Sequence, residues 1–280
     1  MSEMITPPLP LTVAVSPCPN DTFIFGAWVL GQCAPLPDRT TSFIWEDVQV
    51  LNEAAVRKEY DVIKVSAAQA LELLDDYVLL PAGGAFSKVH GPKLVTSAFS
   101  SSPSGAPRSI AVPGLGTTAA ALLRQAWSEP ADLIPVRYDQ IVDMVLRGEV
   151  DAGLLIHESA LLLDRYGLSC ILDLGRWWGE RTDGLPLPLG CILGRRTLRP
   201  ETLDRITAQI QASLNHASRA PDSIWPLVRA LAQELDDEVL RIHIRTYVNQ
   251  YSRDMGDEGA RALEYLGEVV HCQKHTLGCA

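Results

Sequence analysis

The chain has 280 residues, 47% of them hydrophobic and 21% charged, with a formal net charge of -10 at pH 7. That is enough apolar material for a substantial core in one large domain or two modest ones. The acidic balance argues against nucleic acid and anionic membrane surfaces as partners, but it leaves room for an anionic small molecule held by a few local donors.

Residues Met1 to Pro10 lack the basic start and the apolar stretch of a secretory signal. No run approaches the roughly 20 apolar residues needed to span a bilayer, so a cytoplasmic protein is expected. The first strand candidate is Leu11–Val15, followed by Ser16-Pro17-Cys18-Pro19-Asn20-Asp21-Thr22 and a helical pattern over Thr22–Leu30. Two prolines fix φ around Cys18 and remove two donors, and Asn20 and Asp21 offer side-chain oxygens to the open N–H groups of the coming helix. A rigid polar connection between a buried strand and a helix is where α/β proteins hold small ligands.

Further strand candidates follow at Thr41–Val48, Asp61–Val65, Lys93–Phe99, Ser109–Val112, Leu133–Val136, Asp151–Ile156 and Leu189–Leu193. Helical patterns lie between many of them, at Leu51–Glu59, Ala67–Leu74, Thr117–Trp127, Tyr138–Arg147 and Glu158–Tyr166. The alternation predicts parallel βα units. Beyond Thr197 the pattern is helical, with apolar stripes at Leu203, Ile206, Ile210, Leu214 and at Ile224, Leu227, Val228, Leu231, Leu235 that read as core faces.

Ser100 to Pro107 is the clearest linker-like insert, and Leu185-Pro186-Leu187-Pro188 marks a second extended stretch. Two such crossings between α/β lobes describe a two-lobed, periplasmic-binding-protein-like fold of type II, with its ligand cleft between the lobes. The expected division is a larger lobe, 1–98 plus 195–280, and an inserted lobe, 99–194.

Four polar clusters fall at the C-terminal ends of candidate parallel strands, where one crevice can collect them. They are Ser16 to Asp21, Lys64-Val65-Ser66, Gly114-Leu115-Gly116-Thr117-Thr118, and His157-Glu158-Ser159. The glycine loop opening a helix suits a carboxylate or phosphate better than a dinucleotide, because Pro113 stiffens it and no ribose-binding acid ends the next strand. His157 closes an apolar strand and is the natural general base, or else a hydrogen-bonded junction histidine. Cys18 competes as a nucleophile paired with His157, or is a small buried thiol. Lys64 meets an anion or carries its stem to the surface. Trp177 and Trp178 flank an aromatic ligand or form a core pair; His90 and His243 sit in less telling contexts. The six cysteines include no C-x-x-C pair, and the tail His271, Cys272, His275, Cys279 matches no common zinc spacing, so neither a disulfide framework nor a metal site is expected.

The segments Ser16 through Phe25, Val112 through Ala119, Gly153 through Glu158 and Leu185 through Gly190 together resemble the 1,4-dihydroxy-6-naphthoate synthase family of the futalosine route to menaquinone, with the likeness running from about residue 11 through Asn249. The resemblance implies a cytoplasmic carbon–carbon lyase on cyclic dehypoxanthinyl futalosine, with no metal or redox cofactor. It implies His157 as proton acceptor, and Lys64, Val65, Ser66, Thr117 and Thr118 in the substrate pocket, to which the first cluster adds Ser16, Asn20 and Asp21. Cys191 departs from the family pattern, where Gly or Ala is expected. The competing readings are a sister chorismate dehydratase and a non-catalytic small-anion solute-binding protein. Oligomeric state is not legible.

Overall fold

The computed structural model describes residues 9–98, 105–233 and 236–277, with side chains described as far as His271. Its first half runs β1 (Leu9–Val15), α1 (Pro19–Val29), β2 (Arg39–Trp45), α2 (Val48–Val56), β3 (Val62–Ser66), α3 (Ala67–Leu71), β4 (Tyr77–Ser87), β5 (Lys93–Ser97), β6 (Ser109–Val112) and α4 (Thr118–Ala126). Then come β7 (Asp132–Pro135), a 3₁₀ turn at Tyr138–Gln140 leading into α5 (Ile141–Leu146), β8 (Ala152–Leu155), a second 3₁₀ turn at His157–Leu161, α6 (Leu163–Tyr166), β9 (Leu168–Asp173), α7 (Leu174–Arg181) and β10 (Leu187–Arg195). The chain closes with α8 (Pro200–Arg219), α9 (Pro221–Leu231), α10 (Asp237–Tyr247), α11 (Gln250–Arg253) and α12 (Gly256–Leu277).

Two five-stranded sheets organise these elements into two α/β lobes, in the orders β2-β1-β3-β10-β4 and β7-β6-β8-β5-β9. The expected parallel units are present: β1 lies parallel to β2 and β3, and β6 lies parallel to β7 and β8. Each sheet also takes antiparallel strands, so both are mixed: β10 pairs with β3 and β4, and β5 pairs with β8 and β9. These pairings correct the expected division. Lys93–Ser97 belongs to the second sheet and Leu187–Arg195 to the first, whereas boundaries at 98/99 and 194/195 put each with the other.

The physical reason is that the Ser-rich insert, whose residues 99–104 lie outside the described residues, joins β5 to β6 within one sheet. The chain passes between sheets earlier, along Lys88 to Pro92. There the backbones of Gly91 and Gly175 approach so closely that a Cβ on Gly91 would come within 2.6 Å of Gly175. Loop composition marks solvent exposure, not a change of sheet.

A second correction concerns the start of α1. The helix begins at Pro19 with Cys18 in the capping position, and no side chain caps it. Asn20 and Asp21 lie inside the first turn with their oxygens turned elsewhere. Thr22 Oγ1 donates to the carbonyls of Pro17 and Cys18, which ties down the turn before the helix.

The α8 stripe is core as expected, with Leu203, Ile206, Ile210 and Leu214 all buried. At roughly 1.5–3 kcal/mol for each fully buried side chain, that face secures the helix. Ile224 and Val228 of α9 are buried too, while Leu235 lies outside the described residues. Helix α12 packs on α3 and β10 of one lobe and on α4 of the other, with the Tyr265 ring edge-on to Trp178. No described helix is long and apolar enough to cross a membrane.

Candidate active site

The carboxyl ends of β1, β3, β6 and β8 meet at one cleft between the lobes, with about 690 Å³ of empty space that is partly open to solvent. Ser16, Asn20 and Asp21 reach it from the first cluster, Lys64 and Ser66 from the second, Thr117 and Thr118 from the third, and His157 from the fourth. Val65 does not: it is fully buried and packs in the main core. Side chains alternate along a strand, so Lys64 and Ser66 share the cleft face of β3 and Val65 takes the opposite one. The same alternation places Gly190 of β10 at the cleft and Cys191 in the core, where burial pushes its thiol up to about 12. The one departure from the family pattern therefore points away from the cleft.

Lys64 is not a free cation. Its Nζ donates to Asp21 Oδ1 at 2.6 Å with both side chains almost fully buried, and again to the Gly83 carbonyl at 3.3 Å. Asn20 Nδ2 donates to the same Asp21 oxygen at 2.8 Å. The lysine stem runs beneath Gly190, where a Cβ would lie 2.8 Å from Lys64 Cε. Ser66 Oγ accepts from Asn52 Nδ2 at 3.0 Å, which leaves its hydroxyl proton for the cleft. Ser16 Oγ accepts from the Cys18 backbone N–H at 3.0 Å, leaving it the same freedom.

The glycine loop before α4 differs from an open anion cradle. Gly114 has φ +133°, a conformation that favours glycine, and a Cβ there would sit 2.1 Å from Gln49 Oε1 of the facing lobe. Gln69 Oε1 likewise covers Gly116. Thr117 Oγ1 donates to the Gly114 carbonyl at 2.7 Å and accepts from Ala120 N–H, capping α4. Thr118 Oγ1 joins the lobes: it donates to Leu189 O and accepts from Ala68 N–H, each at 3.1 Å. What remains for a ligand at this wall is the start of α4, whose first N–H groups have no intrahelical acceptor.

His157 is half-buried and lines the cleft with φ +56°. A left-handed backbone at a non-glycine residue costs on the order of 1 kcal/mol or more, and it turns the ring away from the strand direction. Desolvation, reinforced by the positive field of His243 and Lys64 and opposed by Glu158, pushes its pKa down to about 4. The imidazole is therefore neutral at physiological pH and carries a free lone pair. Among the described residues, its ring nitrogens meet only Cys18 Sγ, at 3.6 and 3.7 Å. The Tyr138 ring packs edge-on to it with centroids 4.9 Å apart. Cys18 is buried, and burial beside Glu158 raises its pKa well above an ordinary thiol, the opposite of an activated nucleophile.

His243 and Tyr247 stand outside the four sequence-predicted clusters, and Glu158 belongs to the fourth without a role assigned to it there. Fully buried His243 donates from Nε2 to Asn20 Oδ1 at 2.9 Å and presents Nδ1 to Glu158 Oε2 at 3.3 Å. The second contact is an ion-pair approach that falls short of an aligned hydrogen bond. Burial alone would raise the Glu158 pKa, but His243 and His157 outweigh it and hold the carboxyl down at about 2. A histidine within an amphipathic helix gives no local sign of such a partner.

Other candidates lie away from the cleft. Trp178 is buried with its Nε1 donating to Leu185 O at 2.9 Å, and the Arg181 guanidinium stands over Trp177. In the tail, His271 faces Gly267 O and Glu72, and the side chains from Cys272 onward lie outside the described residues.

A family model described as menaquinone biosynthesis matches residues 11–271. A Thermus thermophilus protein named 1,4-dihydroxy-6-naphthoate synthase is 43% identical over 257 residues, covering 91% of this chain and 92% of the relative. A Streptomyces coelicolor protein of the same name is 39% identical over 264 residues, covering 91% of each. Among solved structures, an Archaeoglobus fulgidus protein aligns with TM-score 0.88 at 34% identity, over 95% of this chain and 98% of that one. The periplasmic aliphatic sulphonate-binding protein of Escherichia coli aligns with TM-score 0.65 at 14% identity, over 95% and 88%, which speaks to the fold alone.

Proposed function

This chain belongs to the menaquinone-biosynthesis family, and from that premise we propose that it is a carbon–carbon lyase converting cyclic dehypoxanthinyl futalosine to 1,4-dihydroxy-6-naphthoate, with His157 as general base. The observation that carries the chemical part is the neutral, weakly held imidazole at the wall of a hydroxyl-lined cleft.

A general base must be unprotonated at working pH and within reach of the substrate. His157 is suited to both: burial keeps it neutral, it lines the cleft, and among the described residues its ring nitrogens approach only an un-ionised thiol. The substrate combines an aryl carboxylate with sugar-derived hydroxyls. The start of α4 receives the anion, and the hydroxyls of Ser16 and Ser66 meet the sugar-derived groups. Lys64 supports the site without contributing net charge, because Asp21 neutralises it. Apolar wall residues, among them Val48, Pro92, Ile156 and Leu189, accommodate the ring system and exclude water from it.

Proton removal by His157 leads to cleavage of the carbon–carbon bond that joins the ring system to the sugar-derived part. A small sugar-derived fragment departs, and formation of the aromatic dihydroxynaphthoate drives the step. The reaction belongs in the cytoplasm, and the partner is this small anionic substrate. The test is incubation of the purified protein with cyclic dehypoxanthinyl futalosine and mass-spectrometric detection of dihydroxynaphthoate. Unchanged substrate after prolonged incubation contradicts the proposal.

A further inference from the structure

The strongest unassigned feature is a continuous buried polar chain, Lys64–Asp21–Asn20–His243–Glu158, that ends beside His157 and passes from one lobe to the other. Its first three members stand on β3 and α1. His243 stands on α10, which packs on α1 and β4 of the first lobe and touches the second lobe at the 3₁₀ turn His157–Leu161.

The hydrogen-bond directions along this chain are determined. Asn20 Nδ2 donates to Asp21 Oδ1, so Asn20 Oδ1 faces His243 and Nε2 must carry a proton to donate to it. That leaves His243 Nδ1 opposite Glu158 Oε2 at 3.3 Å, both atoms closed off from solvent and neither with a hydrogen-bond partner among the described residues. A bare ring nitrogen facing a carboxylate oxygen would oppose lone pair to lone pair in a low-dielectric interior. One proton between them turns the opposition into an attraction.

We propose that His243 is a positioning residue for His157: together with Glu158 it holds one buried proton across the lobe interface, which cancels the Glu158 charge beside the neighbouring imidazole and fixes that ring facing the cleft.

The proposal deepens the function above and rests on His157 being the base. Glu158 directly follows the left-handed residue His157, so its grip on His243 restrains that backbone turn. The rings of His157 and His243 lie nearly parallel with centroids 6.0 Å apart, close enough for a charge on one to be felt by the other. The remaining ionisable groups around His157 do not take this role. Cys18, Tyr138 and Tyr247 are held un-ionised by burial. Lys64 and Asp21 are locked to each other. Asp47, at the start of α2, already accepts from the Gln49 N–H. The pair forms only when α10 and the second lobe meet, so lobe closure and preparation of the base become one event.

The test follows the His157 imidazole by NMR titration and by the acid limb of kcat/KM in His243→Gln and in the double variant Glu158→Gln/His243→Gln. In His243→Gln an unpaired Glu158 carboxylate remains beside His157, so its midpoint rises by about one pH unit or more from near 4, and kcat falls about tenfold or more with KM nearly unchanged. The double variant carries no unpaired buried charge. It returns the midpoint to within about half a unit of the wild type while kcat stays low. A folded His243→Gln protein with an unmoved His157 midpoint overturns the proposal. If that variant does not fold, wild-type kcat in the double variant overturns it. If His157→Ala keeps its turnover, the base assignment fails, whereas the titration shift in His243→Gln, which needs no activity, still decides the coupling.

Discussion

Cys18 Sγ lies 3.6 Å from Nε2 and 3.7 Å from Nδ1 of His157, nearly equidistant from both ring nitrogens. A thiol serving a histidine as nucleophile points at one nitrogen along its lone pair, and here burial and Glu158 also raise the thiol pKa. Cys18→Ala is therefore expected to keep turnover within a few-fold of the wild type, and thiol alkylation of the native protein to leave activity intact. A loss of a hundredfold or more in Cys18→Ala would restore the thiol to the mechanism.

Thr118 Oγ1 satisfies a carbonyl on β10 and an N–H at the start of α3. Thr118→Val keeps the shape and strands both groups, which costs about 1–3 kcal/mol in urea unfolding and raises KM by loosening the closed lobes. Thr118→Ser retains the hydroxyl and stays near wild type. Equal stability of the two variants contradicts the interlobe role.

The Lys64–Asp21 pair is buried, so removing one charge leaves the other uncompensated. Lys64→Met and Asp21→Leu are each expected to lose about 3–5 kcal/mol, and the combination Lys64→Met/Asp21→Leu to recover much of it. Denaturant midpoints of the three proteins check this. Additive losses contradict it.

Acid stability follows from two depressed pKa values acting in sequence. The unfolded chain protonates His157 near 6.5 and the folded protein near 4, so stability falls as pH drops through that window, by on the order of 3 kcal/mol. Glu158 titrates near 4.5 unfolded and near 2 folded, so its stabilisation is present above 4.5 and lost between 4.5 and 2. His157→Gln should remove the upper part of the decline and leave the lower. Urea unfolding from pH 7 to pH 2 measures both; an unchanged upper part in His157→Gln contradicts the assignment.

The site was legible where local chemistry changed abruptly. His157 ends an apolar strand, and the Pro-Cys-Pro turn interrupts one helix start, so each stands out from its neighbours. The parallel order of β1 with β3 and of β6 with β8 then brings the clusters together, as the strand-end argument requires. His243 stayed hidden because its partners, Asn20 and Glu158, are distant in sequence and its helix reads as an ordinary amphipathic one. β4 and β9 were missed: Tyr77–Ser87 carries Pro81 and two glycines, and Leu168–Asp173 is a half-exposed edge strand. The lobe crossings were misplaced because strands such as β5 and β10 choose their sheet by long-range antiparallel pairing, which no local pattern encodes.

The most direct measurement compares wild type and His157→Ala, each mixed with excess substrate in a single-turnover experiment, with dihydroxynaphthoate followed by mass spectrometry and binding by calorimetry. The account predicts that the variant folds, binds with near-native affinity and forms product at least a thousandfold more slowly, in keeping with the 10²–10⁴-fold typical of general-base catalysis. Product formation at the wild-type rate by a folded His157→Ala protein would contradict it.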